Sequence, residues 1–366
     1  MSALFEPLTL RDVRLRNRVG ISPMCMYACV DGLANDWHLV HLGSRAVGGA
    51  GLVIVEASAV EPRGRIASED LGIWSDAHAQ ALAPIAAFMA RHGAQPAIQV
   101  AHAGRKGSTN PPWRGDRSLT TAEGAWTTIA PSAEPFDPPG GTVDQVPAAM
   151  TEDDIRAVIA AFAAAARRAD QAGFTVLEVH AAHGYLLHEF LSPLANRRDD
   201  RWGGSFDGRA RLVLEVVRAV RGVWPDAKPL LVRFSAVDWL PGGWTLEDSV
   251  ALARRLKAEG VDMIDASSGW VVPGEAPPFG PGWQVPLAAR IRRDAAIPTA
   301  AVGAISDPAQ AEAIVAEGHA DLALIATASL HDPYWPFHAA RALGALDRLP
   351  LPPSYDYVLR PPARNP

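Results

Sequence analysis

The chain has 366 residues, 48% of them apolar and 20% charged, and carries a net charge of −6. That composition excludes wholesale disorder, and the acidic balance excludes a general nucleic-acid-binding surface. Length alone predicts about two domains, although one (β/α)8 barrel commonly takes about 250 residues and can exceed 400 with insertions.

In chain order, Leu8–Leu15 (LTLRDVRL) comes first and resembles a small hairpin that could plug a barrel's bottom. Short apolar runs then alternate with amphipathic, alanine-rich stretches. The runs are Arg18–Ser22, Gly51–Ala57, Pro96–Ala101, Phe174–His180, Leu230–Ser235, Val261–Ser267, Pro298–Val302 and Asp321–Ile325. Each is short, rich in Val, Ile or Leu, and reads as a buried strand. Three helices have clear grammar: Thr151–Ala172 and Thr245–Glu259 start on a threonine cap, and Asp307–Glu317 carries Pro308 at its first helical position. Eight strands, each followed by a helical segment, imply right-handed parallel crossovers and closure into an α/β (β/α)8 TIM barrel. The predicted organisation is therefore one barrel over residues 1–366. It carries a lid insertion at 103–150 after the third strand and a C-terminal tail at 347–366. Trp113 and Trp126 favour an ordered lid over a linker.

Two cysteines, Cys25 and Cys29, exclude a disulfide framework, and no second Cys/His pair supports a zinc ribbon. The N-terminus lacks the apolar core of a signal peptide, and no apolar run approaches the roughly 18 residues of a spanning helix. A soluble, cytoplasmic protein with no membrane partner is expected. Glu178 and Asp265 lie on strands but form no metal-binding grouping with the histidines, so no metal is expected.

A barrel carries its chemistry at the C-terminal ends of its strands. There this chain places Pro23-Met24-Cys25-Met26-Tyr27, Ala57-Ser58, Gln99 with His102 and Arg105-Lys106, His180-Ala181-Ala182-His183-Gly184-Tyr185, Ser267-Ser268-Gly269, Gly303, and Ala326-Thr327. Arg233 sits inside the apolar strand LLVRFS. A buried charge must be paired or bind an anion, so Arg233 is either a ligand contact or half of a structural ion pair. His38 and His41 lie on an amphipathic helix and read as packing and capping residues.

These motifs resemble the old yellow enzyme family of FMN-dependent ene-reductases, in its thermophilic-like branch, across nearly the whole length. The stretches that carry the resemblance are Asn17-Arg18 before Pro23–Tyr27, Asp36-Trp37-His38, Glu56–Val60, Gln99–Lys106, His180–Tyr185, Gly203-Gly204-Ser205 and Asp332-Pro333. The resemblance implies FMN across the barrel mouth, reduced by NADPH or NADH. It implies that Pro23, Met24, Ala57, Gln99, Arg233, Gly303, Ala326 and Thr327 bind the flavin, with Cys25 tuning its potential and His180 touching it. It further implies that His180 and His183 polarise an activated alkene, that Tyr185 protonates it, and that Tyr27 and Lys106 contact it, in a ping-pong cycle. A homo-oligomer, dimer or tetramer, is also expected, with Tyr355 and Tyr357 in a tail that relatives send toward a neighbouring site.

The departures are local. Ala326-Thr327 stands where the family usually carries an arginine for the flavin phosphate, and losing a bidentate guanidinium weakens phosphate binding. Trp202 and Gly208 replace the family's tyrosine and asparagine around Gly203-Gly204-Ser205. The alternative expectation is therefore a flavin- or ligand-binding barrel with impaired FMN retention and little turnover. A dienoyl-CoA reductase of the same superfamily needs an iron–sulfur segment that two cysteines cannot supply.

Overall fold

In the computed structural model, the described residues are 2–115, 117–136 and 145–359. The chain opens with a hairpin, β1 (Leu8–Leu10) against β2 (Val13–Leu15). Eight parallel strands follow: β3 (Val19–Ile21), β4 (Leu52–Ala59), β5 (Gln95–Ala101), β8 (Val176–Ala181), β9 (Leu230–Ser235), β10 (Met263–Ser267), β11 (Thr299–Ala301) and β12 (Leu322–Ile325). They close into one barrel, with β12 pairing back onto β3. The intervening β6 (Ile129–Ala130) and β7 (Ala148–Ala149) form a separate two-stranded pair in the insertion. The expected eightfold alternation is thus present.

The barrel is filled in layers. At the bottom, Leu10, Val13 and Leu15 of the hairpin pack with Leu52, Ile54, Val176, Leu231, Met263 and Leu322 from the strands. The hairpin is therefore the plug that its sequence predicts. Side chains on a strand alternate between faces, so two residues further along the next layer is polar: Gln99, Glu178, Arg233 and Asp265, all buried. The outward-facing residues, such as Val179, Val232 and Ile264, join the core beneath the helices.

The helix caps fall where the sequence puts them. Thr151 caps α3 (Glu152–Gln171), Thr245 caps α6 (Leu246–Ala258) and Asp307 caps α8 (Pro308–Ala316), each side chain accepting a backbone N–H of the first turn. Each such cap is worth about 1 kcal/mol. Some strand ends differ. Val261 closes α6, its N–H donating to Leu256 O at 3.0 Å, so β10 begins only at Met263. Strand β4 runs on to Ala59 through a register shift between Val55 and Ser58.

In the insertion, Trp126 Nε1 donates to Arg63 O at 3.1 Å, and the Trp113 ring meets Tyr27 edge-on with centroids 5.6 Å apart. Part of the predicted lid (116 and 137–144) and the end of the predicted tail (360–366) lie outside the described residues.

Candidate active site

The polar layer is built across neighbouring strands. Register aligns Gln99 with Glu178, and Arg233 with both His180 and Asp265. Gln99 Nε2 donates to Glu178 Oε1 at 2.8 Å. Burial raises the pKa values of Glu178 and Asp265 above the usual carboxylate range. For Glu178 the nearby Asp265 adds to this, while Arg233 opposes it at both. Arg233 Nη1 donates to Ser22 Oγ at 3.2 Å, and Arg233 Nε lies 3.2 Å from Asp265 Oδ2. That pair is poorly aligned: neither Nε nor either Asp265 oxygen makes a hydrogen bond. The structural ion pair weighed for Arg233 is therefore present, yet the guanidinium keeps donor capacity unspent.

Above this layer, the turn after β8 carries His180, His183 and Tyr185. Its backbone is constrained. His183 has φ +60° and Gly184 φ +72°, and a Cβ on Gly184 would sit 2.1 Å from Trp270 O, so only glycine fits. Lys106 Nζ donates to His183 O at 2.9 Å and to Trp270 O at 3.1 Å, tying the turn to the loop after β10. Lys106 also lies over the Tyr185 and Phe136 rings. The predicted substrate residue thus straps the site's backbone together. Arg105 is buried, with Nη2 donating to Val271 O at 2.7 Å.

The rings of His180 and His183 stand edge to face, 5.1 Å apart, and those of His180 and Tyr185 are 5.3 Å apart. Burial, with Arg233 next, holds both histidines well below the usual histidine range, so both are neutral imidazoles near pH 7. His180 Nδ1 is buried without a partner.

The loop Pro23–Tyr27 is anchored from below. Glu56 Oε2 accepts from Met26 N at 2.7 Å, while Glu56 Oε1 lies 3.2 Å from His38 Nε2. His38 also completes the α1 (Asp36–Val47) capping box with Asn35 and lies 3.5 Å from Cys29 Sγ. That gives Cys29, unassigned by sequence, a place in the packing under the loop. Cys25 is partly exposed. Burial of its thiol, then Asp70 and Glu56, push its pKa well above the usual value and keep it a thiol.

A cavity of about 510 Å³ opens at the barrel mouth, within the usual range for a cofactor site. Its lining includes His183, Arg233, Gly303, Ala326 and Thr327, all predicted site residues. It also includes Ser267, which the sequence places at a strand end without a role, and Trp270, Trp283, Gln284, Ser306 and His331, which were not predicted. Ala57 and Tyr185 line a smaller neighbouring cavity with Asp70 and Ala101. Pro23, Met24, Cys25, Tyr27, Gln99, His180 and Lys106 line neither cavity. Gly303 has φ +120°, and a Cβ there would press on the Gln284 side chain. Backbone strain gathers at the mouth: Tyr27, His183, Trp270 and Ala304 all have positive φ, at about 1–3 kcal/mol each. No helix among the described residues is long and apolar enough to cross a membrane.

The sequence profile of the NADH:flavin oxidoreductase / NADH oxidase family matches residues 3–345. An NADPH dehydrogenase of Geobacillus sp. (strain WCH70) is 49% identical over 343 residues, covering 93% of this chain and 94% of its own. A solved morphinone reductase superposes with a TM-score of 0.78 at 27% identity, over 94% of this chain and 90% of its own. A 2-naphthoyl-CoA reductase solved with 2-naphthoyl-CoA gives a TM-score of 0.84 at 27% identity. It covers 94% of this chain, which spans about half (53%) of the larger protein.

Proposed function

The chain belongs to the NADH:flavin oxidoreductase / NADH oxidase family, as a flavin oxidoreductase of the old yellow enzyme type, and on that premise we propose that it reduces the C=C bond of α,β-unsaturated carbonyl and nitro compounds. FMN and a nicotinamide are its cofactors. The observation that carries the reading is the trio His180, His183 and Tyr185 beside Arg233: two neutral imidazoles and a phenol, with the His183 and Tyr185 rings 5.1 and 5.3 Å from that of His180.

The residues present fit FMN. Arg233 supplies an under-used buried cation for the flavin's electron-rich edge. Gly303, Ser306 and Thr327 line the same cavity and offer neutral donors, and the phosphate dianion is assigned to them. Pro23, Met24, Ala57, Gln99 and Ala326 complete the proposed flavin contacts.

Bound FMN would supply the two-electron chemistry that links NAD(P)H oxidation to reduction of the alkene. Successive use of one site makes the cycle ping-pong. The chain's own groups do the rest. The His180 and His183 rings donate to the substrate's carbonyl or nitro oxygen and stabilise the charge that builds there. Tyr185 gives its phenolic proton to the α-carbon. Tyr27, held under Trp113, orients the substrate, and the 103–150 insertion excludes water as a lid. Cys25, as a thiol, tunes the flavin without adding charge.

A second reading follows from Thr327. Without a guanidinium for the phosphate, the protein could be a flavin-binding barrel that retains FMN poorly and turns over little. Supplying FMN separates the two: folded protein that stays colourless favours this one. We further propose that the protein is cytoplasmic, and that it forms a homo-oligomer: Val30, Trp37 and Val40, close in sequence around the start of α1, are all exposed apolar side chains.

The test is the His180→Ala/His183→Ala double variant with a phenol, which gives a charge-transfer band on bound FMN. The band should vanish while flavin content is kept. An intact band in the double variant overturns the assignment of the substrate anchor.

A further inference from the structure

Ser267 ends β10 with its hydroxyl between two polar neighbours. His183 Nε2 lies 2.6 Å away and Gln284 Oε1 3.3 Å away. The hydroxyl has one proton and can serve only one of them. Two arrangements are possible. In one, His183 Nε2–H donates to Ser267 Oγ, and Ser267 donates onward to Gln284. In the other, Ser267 donates to an unprotonated His183 Nε2.

Both arrangements use the 2.6 Å contact, so the Gln284 side decides between them. The first arrangement spends the Ser267 proton on Gln284 at 3.3 Å, well beyond the usual length of about 2.7–2.8 Å for an O–H···O bond. The second spends it on the nearer partner. It also leaves Gln284 Oε1 satisfied, because Ser268 Oγ donates to it at 2.8 Å. The imidazole's neutrality supplies the lone pair that this arrangement requires.

We infer that Ser267 is a positioning residue: its hydroxyl proton faces His183 Nε2 and fixes that ring as the tautomer with its hydrogen on Nδ1. His183 lines the main cavity, and Nδ1 is the nitrogen left to a ligand. The neighbouring strand holds the same residue by its backbone. His183 N donates to Ser235 Oγ at 3.0 Å, and Ser235 Oγ donates to Gly269 O at 3.0 Å. Ser235 and Ser267 are register partners on β9 and β10. One serine therefore sets the backbone of His183 and the other its proton. This inference rests on the proposed role of His183 as a donor to the substrate oxygen.

The test uses FMN-loaded full-length protein labelled with ¹⁵N-histidine. In the wild type, His183 should show a protonated Nδ1 and an unprotonated Nε2. Ser267→Ala should move the ring toward the Nε2–H form and weaken phenol binding about tenfold. Ser267→Thr, which keeps the hydroxyl, should restore both. A wild-type ring protonated on Nε2 overturns the inference, and so does a tautomer unchanged in Ser267→Ala. If phenol fails to bind the wild type while the tautomer is as stated, the donor role of His183 fails and the Ser267 assignment stands.

Discussion

Arg233 Nε lies 3.2 Å from Asp265 Oδ2, with both side chains buried inside the barrel and neither atom in a sound hydrogen bond. A buried pair so poorly aligned recovers little of its desolvation cost. It leaves the cation to be completed by a bound anion or electron-rich ring. Arg233→Gln should therefore weaken FMN binding at least tenfold in a fluorescence titration. It should also lower the melting temperature, because Asp265 loses its partner. The Arg233→Gln/Asp265→Asn double variant should recover the melting temperature but not the affinity. FMN affinity unchanged in Arg233→Gln would place the flavin elsewhere.

The two histidines set a pH prediction. Burial and Arg233 hold both below their ordinary value of 6.5. The unfolded chain therefore takes up protons first as the pH falls, and their contribution to stability, present above 6.5, is lost below it. Within the folded enzyme neither ring charges at that pH. The KM for cyclohexenone should stay level from pH 7.5 to 5.5. A step with a midpoint near 6.5 would show that a ring titrates in the site.

Glu189 sets the opposite slope. Its carboxyl is buried, accepts Arg105 N at 2.9 Å and is pushed up to about 8 by burial. Folded protein keeps this proton where the unfolded chain, with an ordinary value of 4.5, has lost it. Stability from this group is full below 4.5 and declines as the pH rises toward 8. Glu189→Gln keeps an oxygen for Arg105 N and should flatten that decline in melting temperature. An unchanged slope would show that Glu189 is charged in the fold.

Thr327 is the sharpest departure in the site. It lines the cavity among the residues assigned to the phosphate, next to Ala328 and near His331. Thr327→Arg should tighten FMN on the order of tenfold, the scale of a charge-assisted hydrogen bond. Riboflavin, which lacks the phosphate, should gain nothing. Equal gains for both would show that the new arginine touches the ring system.

Much of this was legible in the sequence, for physical reasons. Strands buried on both faces are written as unbroken Val/Ile/Leu runs, and caps such as Thr151 and Thr245 are local signals. Arg233 stood out because a charge in an apolar strand must be accounted for. What escaped was set by distance along the chain. Gln284 reaches Ser267 and Ser268 from a loop with no periodicity, and Trp270, Trp283 and His331 meet the cavity only once the barrel closes. Lys106 was legible as a site residue, but its bonds to the His183 and Trp270 carbonyls depend on a turn conformation that no spacing encodes.

The most direct measurement is anaerobic absorbance of the FMN-loaded protein, followed through NADPH addition and then cyclohexenone, in wild type and Tyr185→Phe. NADPH should bleach the flavin in both. Cyclohexenone should restore the colour quickly in the wild type and on the order of a hundredfold more slowly in the variant. A wild-type flavin that NADPH bleaches but that no activated alkene reoxidises would overturn the ene-reductase assignment.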